Sequence, residues 1–101
     1  MIRSILLKIK TEDTMGTVGE SLVGAFEVAP GIAVNAETLM GWNVTHMRSG
    51  IAFVKWLDTK REAVRLARRL AELGNWDRPK SKLPKTLMAK GYSLCKEFCR
   101  G

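Results

Sequence analysis

The side chains in this sequence best suited to chemistry are guanidinium and ammonium groups. Arg61, Arg65, Arg68 and Arg69 recur at spacings of three and four, which on a helix places them on one face. A guanidinium offers a planar fork of donors that matches the paired oxygens of a phosphate or a carboxylate. Arg78, Lys80, Lys82 and Lys85 follow in a stretch punctuated by Pro79 and Pro84 and extend the same basic track. These eight are the candidate binding residues, for the phosphate backbone of DNA or RNA or for an acidic protein surface. Arg61, Arg65 and Arg69 form successive i,i+4 like-charge pairs, each costing a few tenths of a kcal/mol in an isolated helix, so an external anion would relieve the row. Glu72 stands i,i+4 from Arg68 and i,i+3 from Arg69 and offers partial relief. The competing reading is a face that only keeps the protein soluble.

Other reactive types are sparse. His46 is the only histidine, and neither a nucleophile motif nor a carboxylate pair accompanies it. Cys95 and Cys99 are the only cysteines; their i,i+4 spacing suits two buried thiols on a helix better than a disulfide. Zinc held by His46, Cys95 and Cys99 would lack a fourth ligand of the usual kind. No phosphate-binding glycine loop or dinucleotide fingerprint occurs. Trp42 and Trp56 could stack on bases if turned outward, but large aromatics of a small domain more often fill its core. These residues imply no catalytic site, no metal and no cofactor, and the expected role is not that of an enzyme.

Charge distribution points the same way as the arginines. The 101 residues carry 17 Lys and Arg against 10 Asp and Glu, a formal charge of +7. Residues 1–50 hold four basic and five acidic side chains, whereas residues 51–101 hold thirteen and five, so all of the excess lies in the second half. Such segregation fits a surface that attracts polyanions. The chain has the size of one domain, and an apolar content of 46% is enough for a packed core. No run approaches the roughly 18 apolar residues of a membrane span, the first ten residues read as a strand and not a signal peptide, and two thiols fit a reducing, cytoplasmic setting.

The elements that must position these residues follow from periodicity. Ile5, Leu7 and Ile9 alternate with Lys8 and Lys10 in a strand over 2–10, and the turn-rich residues 11–21 mark a connection. Residues 17–29 admit a helix, through a Thr17-x-x-Glu20 capping box, or a strand, through the alternation of Leu22, Phe26 and Val28; Gly24 favours the strand. A further β-like run covers 32–35. Trp42–Met47 and Ile51–Trp56 form a hairpin around Arg48-Ser49-Gly50. A two-residue loop would put His46 with Phe53 and Lys55, and a three-residue loop with Ala52, Val54 and Trp56. Thr59 as N-cap, Glu62 three residues on and Gly74 after Leu73 bound a helix that buries Ala63, Leu66, Ala67, Leu70 and Leu73. Residues 75–86 lack periodicity and read as a basic arm whose Trp76 tucks back onto the domain; from Leu87 a short terminal helix follows, interrupted at Gly91.

The resulting architecture is α+β: an antiparallel sheet of four to five strands with one amphipathic helix on a face, in a core domain over 1–74, an arm over 75–86, and a short C-terminal helix over 87–101 packed on the core. Gly41–Leu70, with its aromatic strand ending in Val44-Thr45-His46, its Ser49-Gly50 turn and its Thr59-Lys60-Arg61-Glu62-Ala63 helix start, resembles small uncharacterised phage and mobile-element proteins. That resemblance implies a hairpin docked on a helix and a phage, plasmid or prophage origin; it carries over no catalytic residue. The leading functional expectation is an accessory protein that binds nucleic acid through its phosphates. The alternative is a small non-catalytic inhibitor or adaptor on a host or phage protein, anti-CRISPR-like for example, with Trp76, Leu83 or Met88 as an exposed hot spot beside the arginines. An open edge strand would permit a homodimer by sheet extension.

Overall fold

β-Branched and aromatic runs, separated by short turns, pair into five antiparallel strands. The computed structural model of the protein describes residues 2–12, 15–37 and 40–100. Its elements are β1 (Arg3–Glu12), β2 (Val18–Ala29), β3 (Ile32–Glu37), β4 (Gly41–His46), β5 (Ile51–Leu57), α1 (Lys60–Leu73), a 3-10 turn (Lys80–Lys82) and α2 (Lys85–Arg100). Each strand pairs with its neighbours in the chain, giving a meander in the order β1-β2-β3-β4-β5. The fold class is α+β. No described helix is long and apolar enough to cross a membrane.

Two local expectations change, and the strand favoured for 17–29 is borne out. The connection expected over 11–21 is shorter, because β1 continues through Glu12 and β2 starts at Val18; residues 13 and 14 lie outside the described residues. The ambiguous segment 17–29 is strand over Val18–Ala29, where pairing with β1 from Arg3↔Glu27 to Glu12↔Val18 satisfies its backbone. The terminal helix starts at Lys85, two residues before the expected 87, and runs unbroken through Gly91.

Strand alternation splits the interior in two. Phe26, Val28, Ile32, Val34 and Val44 point to one face and pack against Ala63, Leu66, Ala67 and Leu70 of α1 and against α2. Leu7, Ala25 and Ala33 point to the other face and gather Ile5, Ile9, Val23 and Met47 into a second, smaller cluster. The sheet curls around this second cluster, since the Lys10 N–H donates to the Gly50 carbonyl at 3.0 Å and so ties β1 to the β4–β5 turn. Gly50 permits that approach: its φ is +72°, and a Cβ there would stand 2.7 Å from the Lys8 carbonyl oxygen.

Candidate functional site

The arginine row is built as its spacing predicts. Thr59 caps α1 by accepting the Glu62 N–H at 3.1 Å and donating its hydroxyl to Glu62 Oε1 at 3.2 Å. Ala63, Leu66, Ala67 and Leu70 are buried, Leu73 is half-buried, and Arg61, Arg65, Arg68 and Arg69 are exposed on the opposite side. Among the described residues the ion pairs are Arg3–Glu27, Lys10–Glu20 and Arg48–Asp77, none of which involves these arginines. Glu72 therefore does not neutralise Arg68 or Arg69 as its spacing allows. Lys60 is diverted from the row, with its ammonium 3.6 Å from the centre of the Phe26 ring.

α2 changes the setting of two members. Arg65 and Arg69 border a depression that Glu62, Glu97 and Phe98 also line. Two members of the row thus have carboxylates and an aromatic ring within reach.

Residues 75–86 are anchored at two points. Trp76 is 2% exposed, donates its indole N–H to the Leu70 carbonyl at 2.7 Å, and meets the Phe53 ring edge-on at 5.0 Å. Its ring lies on Gly91 of α2, where a Cβ would come within 2.7 Å of the indole, so a glycine in mid-helix gives the space the ring needs. Leu83 is buried as the second anchor. Of the three residues expected as an exposed hot spot, only Met88 reaches the surface; the apolar surface of Trp76 and Leu83 is worth more in the core than in water. Arg78, Lys80, Lys82 and Lys85 are all exposed between and around these anchors, with a 3-10 turn over Lys80–Lys82. They are not gathered in one place: Arg78 lines a depression with Lys90, and Lys80 borders a different cleft.

His46 serves this anchoring. It is buried, and its Nε2 lies 2.8 Å from the Trp76 carbonyl, which can only accept, so Nε2 carries the proton. Nδ1 then accepts the Ser49 hydroxyl at 2.8 Å, and Ser49 Oγ accepts the Ile51 N–H at 3.2 Å. Neither two-way choice of register describes the hairpin fully. A four-residue turn, Met47–Gly50, pairs His46 with Ile51 and sets its ring against Phe53, while Lys55 has crossed to the other face past irregular pairing around Val44. Arg48, 3.0 Å from Asp77, adds a second tie between this turn and the Trp76 segment.

Two further features lie away from the arginines. Ile51, Phe53, Leu83, Met88, Tyr92 and Cys95 form most of a cleft of about 290 Å³ between β5 and α2, with Lys80 at its edge. Burial, with a smaller contribution from Cys99, pushes the Cys95 thiol up to about 11, so it stays protonated and unreactive at neutral pH. Cys99 is exposed. Among the described residues no group of three or more His, Cys, Asp or Glu side chains is placed to hold a metal ion.

The second feature was not singled out from the sequence. Asn35, Asn43 and Thr45 are buried on the sheet face away from α1, where with Glu37, Lys55 and Ile9–Thr11 they line a cavity of about 110 Å³. The available signal was three polar residues on the same alternation phase of two otherwise apolar strands. Trp56, expected in the core, is 51% exposed beside this network, because its φ of +65° turns it out of the strand pattern; Trp42 packs against Phe26 and the core. Comparison with protein-family models, curated proteins and solved structures gives no match to this chain.

Proposed function

We propose that this protein is a non-enzymatic nucleic-acid-binding accessory protein of a phage or mobile element, which holds the phosphate backbone through α1. The observation that carries the proposal is that the exposed arginines Arg61, Arg65, Arg68 and Arg69 make no ion pair among the described residues, whose ion pairs form elsewhere. Phosphate oxygens would supply the partners that Glu72 does not, and bidentate guanidinium contacts position a backbone without reading its sequence. Arg78, Lys80, Lys82 and Lys85 add exposed charge at the C-terminal end of the helix. Binding is then sequence-independent and strongly salt-dependent, because each neutralised phosphate releases condensed counterions.

Fluorescence anisotropy of labelled single-stranded DNA, duplex DNA and RNA, each titrated at several salt concentrations, tests this directly. The expected result is micromolar or tighter binding at low salt that weakens steeply as salt rises. Absence of binding to all three at low salt would end the proposal.

One observation favours a second reading, docking on an acidic host or phage protein as an inhibitor or adaptor. Arg65 and Arg69 share their depression with Glu62, Glu97 and Phe98, a mixture of both signs with an aromatic ring that suits a protein partner better than a phosphate chain. Capture of a protein from host lysate that survives nuclease and is lost in the R65Q/R69Q variant would favour it.

A further inference from the structure

Burying amide and hydroxyl groups costs free energy unless they find partners, so a polar row inside a sheet needs a physical account. Here the partners are largely internal. The Thr45 hydroxyl donates to Asn35 Oδ1 at 3.0 Å. Asn43 is used at both ends, accepting the Trp56 N–H at 3.0 Å and donating to Glu37 Oε2 at 3.3 Å. The Trp56 indole N–H donates to the same Glu37 oxygen. These bonds leave three groups around the cavity without a hydrogen bond or ion pair among the described residues: Asn35 Nδ2, Glu37 Oε1 and the Lys55 ammonium. Asn35 is 2% exposed, so its amide has little to turn to except the cavity.

A second, independent observation is backbone strain. Among the described residues Trp56 is the only non-glycine with positive φ, at +65°, a conformation that a residue with a Cβ rarely adopts. Its hydrogen bonds to Asn43 and Glu37 hold it there, with its indole tied to the network and half exposed. The strain keeps an aromatic ring beside the polar cavity and out of the core.

The chemistry of the lining selects the ligand. A carboxylate faces any bound anion, and Lys55 faces any bound cation, so neither ion is well served. A neutral group that carries both a carbonyl and an N–H is served by both. About 110 Å³ is less than the roughly 150 Å³ known to enclose a benzene, so only the edge of a ring enters. We propose that this cavity recognises the amide-like edge of a planar heterocycle of the nucleobase type. Asn35 Nδ2 and Lys55 donate to its carbonyl oxygen, Glu37 Oε1 accepts its N–H, and the ring face outside the cavity lies on the Trp56 indole. The site is on the sheet face opposite α1 and does not rest on the arginine reading.

Such an edge could come from a free nucleoside or from an unpaired base in a strand. The test is calorimetric titration of the full chain with cytidine, uridine, guanosine and adenosine, and in parallel with short single-stranded oligonucleotides, repeated for E37Q, W56A and the exposed-site variant K55A. Glu37→Gln puts an amide where the acceptor stood, and Trp56→Ala removes a ring that is half exposed, so both variants should fold. The expected result is measurable binding of at least one nucleoside or oligonucleotide, weakened about tenfold or more by E37Q and by W56A, as loss of a stacked base contact implies. K55A should weaken it by a smaller factor. Binding of nucleosides identifies the free heterocycle as the source, and binding confined to oligonucleotides identifies the strand. Oligonucleotide binding that responds to salt but is unchanged in E37Q and W56A would overturn this inference and leave the arginine proposal standing. Nucleoside binding in the absence of salt-dependent strand binding would do the reverse. No nucleoside binding together with no effect of the variants on oligonucleotides would overturn it as well.

Discussion

The two basic stretches of this protein carry similar charge on different supports. Along α1, regular hydrogen bonding and a buried stripe of Ala63, Leu66, Ala67 and Leu70 fix where each arginine points. Along residues 78–84, up to Lys85 at the start of α2, only a 3-10 turn does so, and position depends on Trp76 and Leu83, reinforced by the ties of His46 to the Trp76 carbonyl and of Arg48 to Asp77. In the helix, one residue can change with little effect on its neighbours. In the second stretch the charges rest on a few buried contacts, so damage to one anchor should move them all.

Substitutions distinguish the two supports. The largest effect is expected for Trp76→Ala, which removes a buried indole touching Phe53, Leu70 and Gly91 and should cost about 3–5 kcal/mol, read by denaturant unfolding. A loss below about 1 kcal/mol would mean that the segment is held by something other than its tryptophan. Next is Thr59→Ala, which removes the cap of α1 and should cost about 1 kcal/mol in the same experiment. The smallest stability change is expected for R65Q/R69Q: relief of the like-charge pairs should leave stability the same or raise it by a few tenths of a kcal/mol. Marked destabilisation there would show that the arginines are structural.

The thiols offer a further contrast within one helix. Exposed Cys99 should react quickly with a thiol reagent under native conditions, while Cys95 should react only on unfolding. Because burial raises the folded-state value of Cys95 from 9.0 to about 11, the unfolded chain gives up its proton first as pH rises. Stability contributed by the neutral thiol is therefore present below about pH 9 and lost between there and about 11, a decline that Cys95→Ser should reduce.

Much of the scaffold was legible because its signals are local. The capping residues of α1, the spacing of its apolar stripe and the alternation in the strands each need only a few neighbouring residues to be read. The rest depends on contacts distant in sequence. Gly91 looks like an interruption of α2 until the Trp76 ring is placed on it, and the hairpin register depends on how Phe53 meets His46 and Trp76. Of the candidate binding residues, the four on α1 have the shared face their spacing implies. Nothing local, by contrast, places Arg78 beside Lys90 or brings Glu97 and Phe98 to Arg65 and Arg69. The polar cavity is harder still, because Asn35, Asn43, Thr45 and Trp56 acquire meaning only when β3, β4 and β5 are in register.

The most direct measurement is the slope of log K against log salt for a single-stranded oligonucleotide, compared between the unaltered protein and R65Q/R69Q. If α1 contacts phosphates, removing two charges should flatten the slope by about two units and weaken binding to every sequence alike. A slope that does not change would contradict a phosphate-binding role for these arginines.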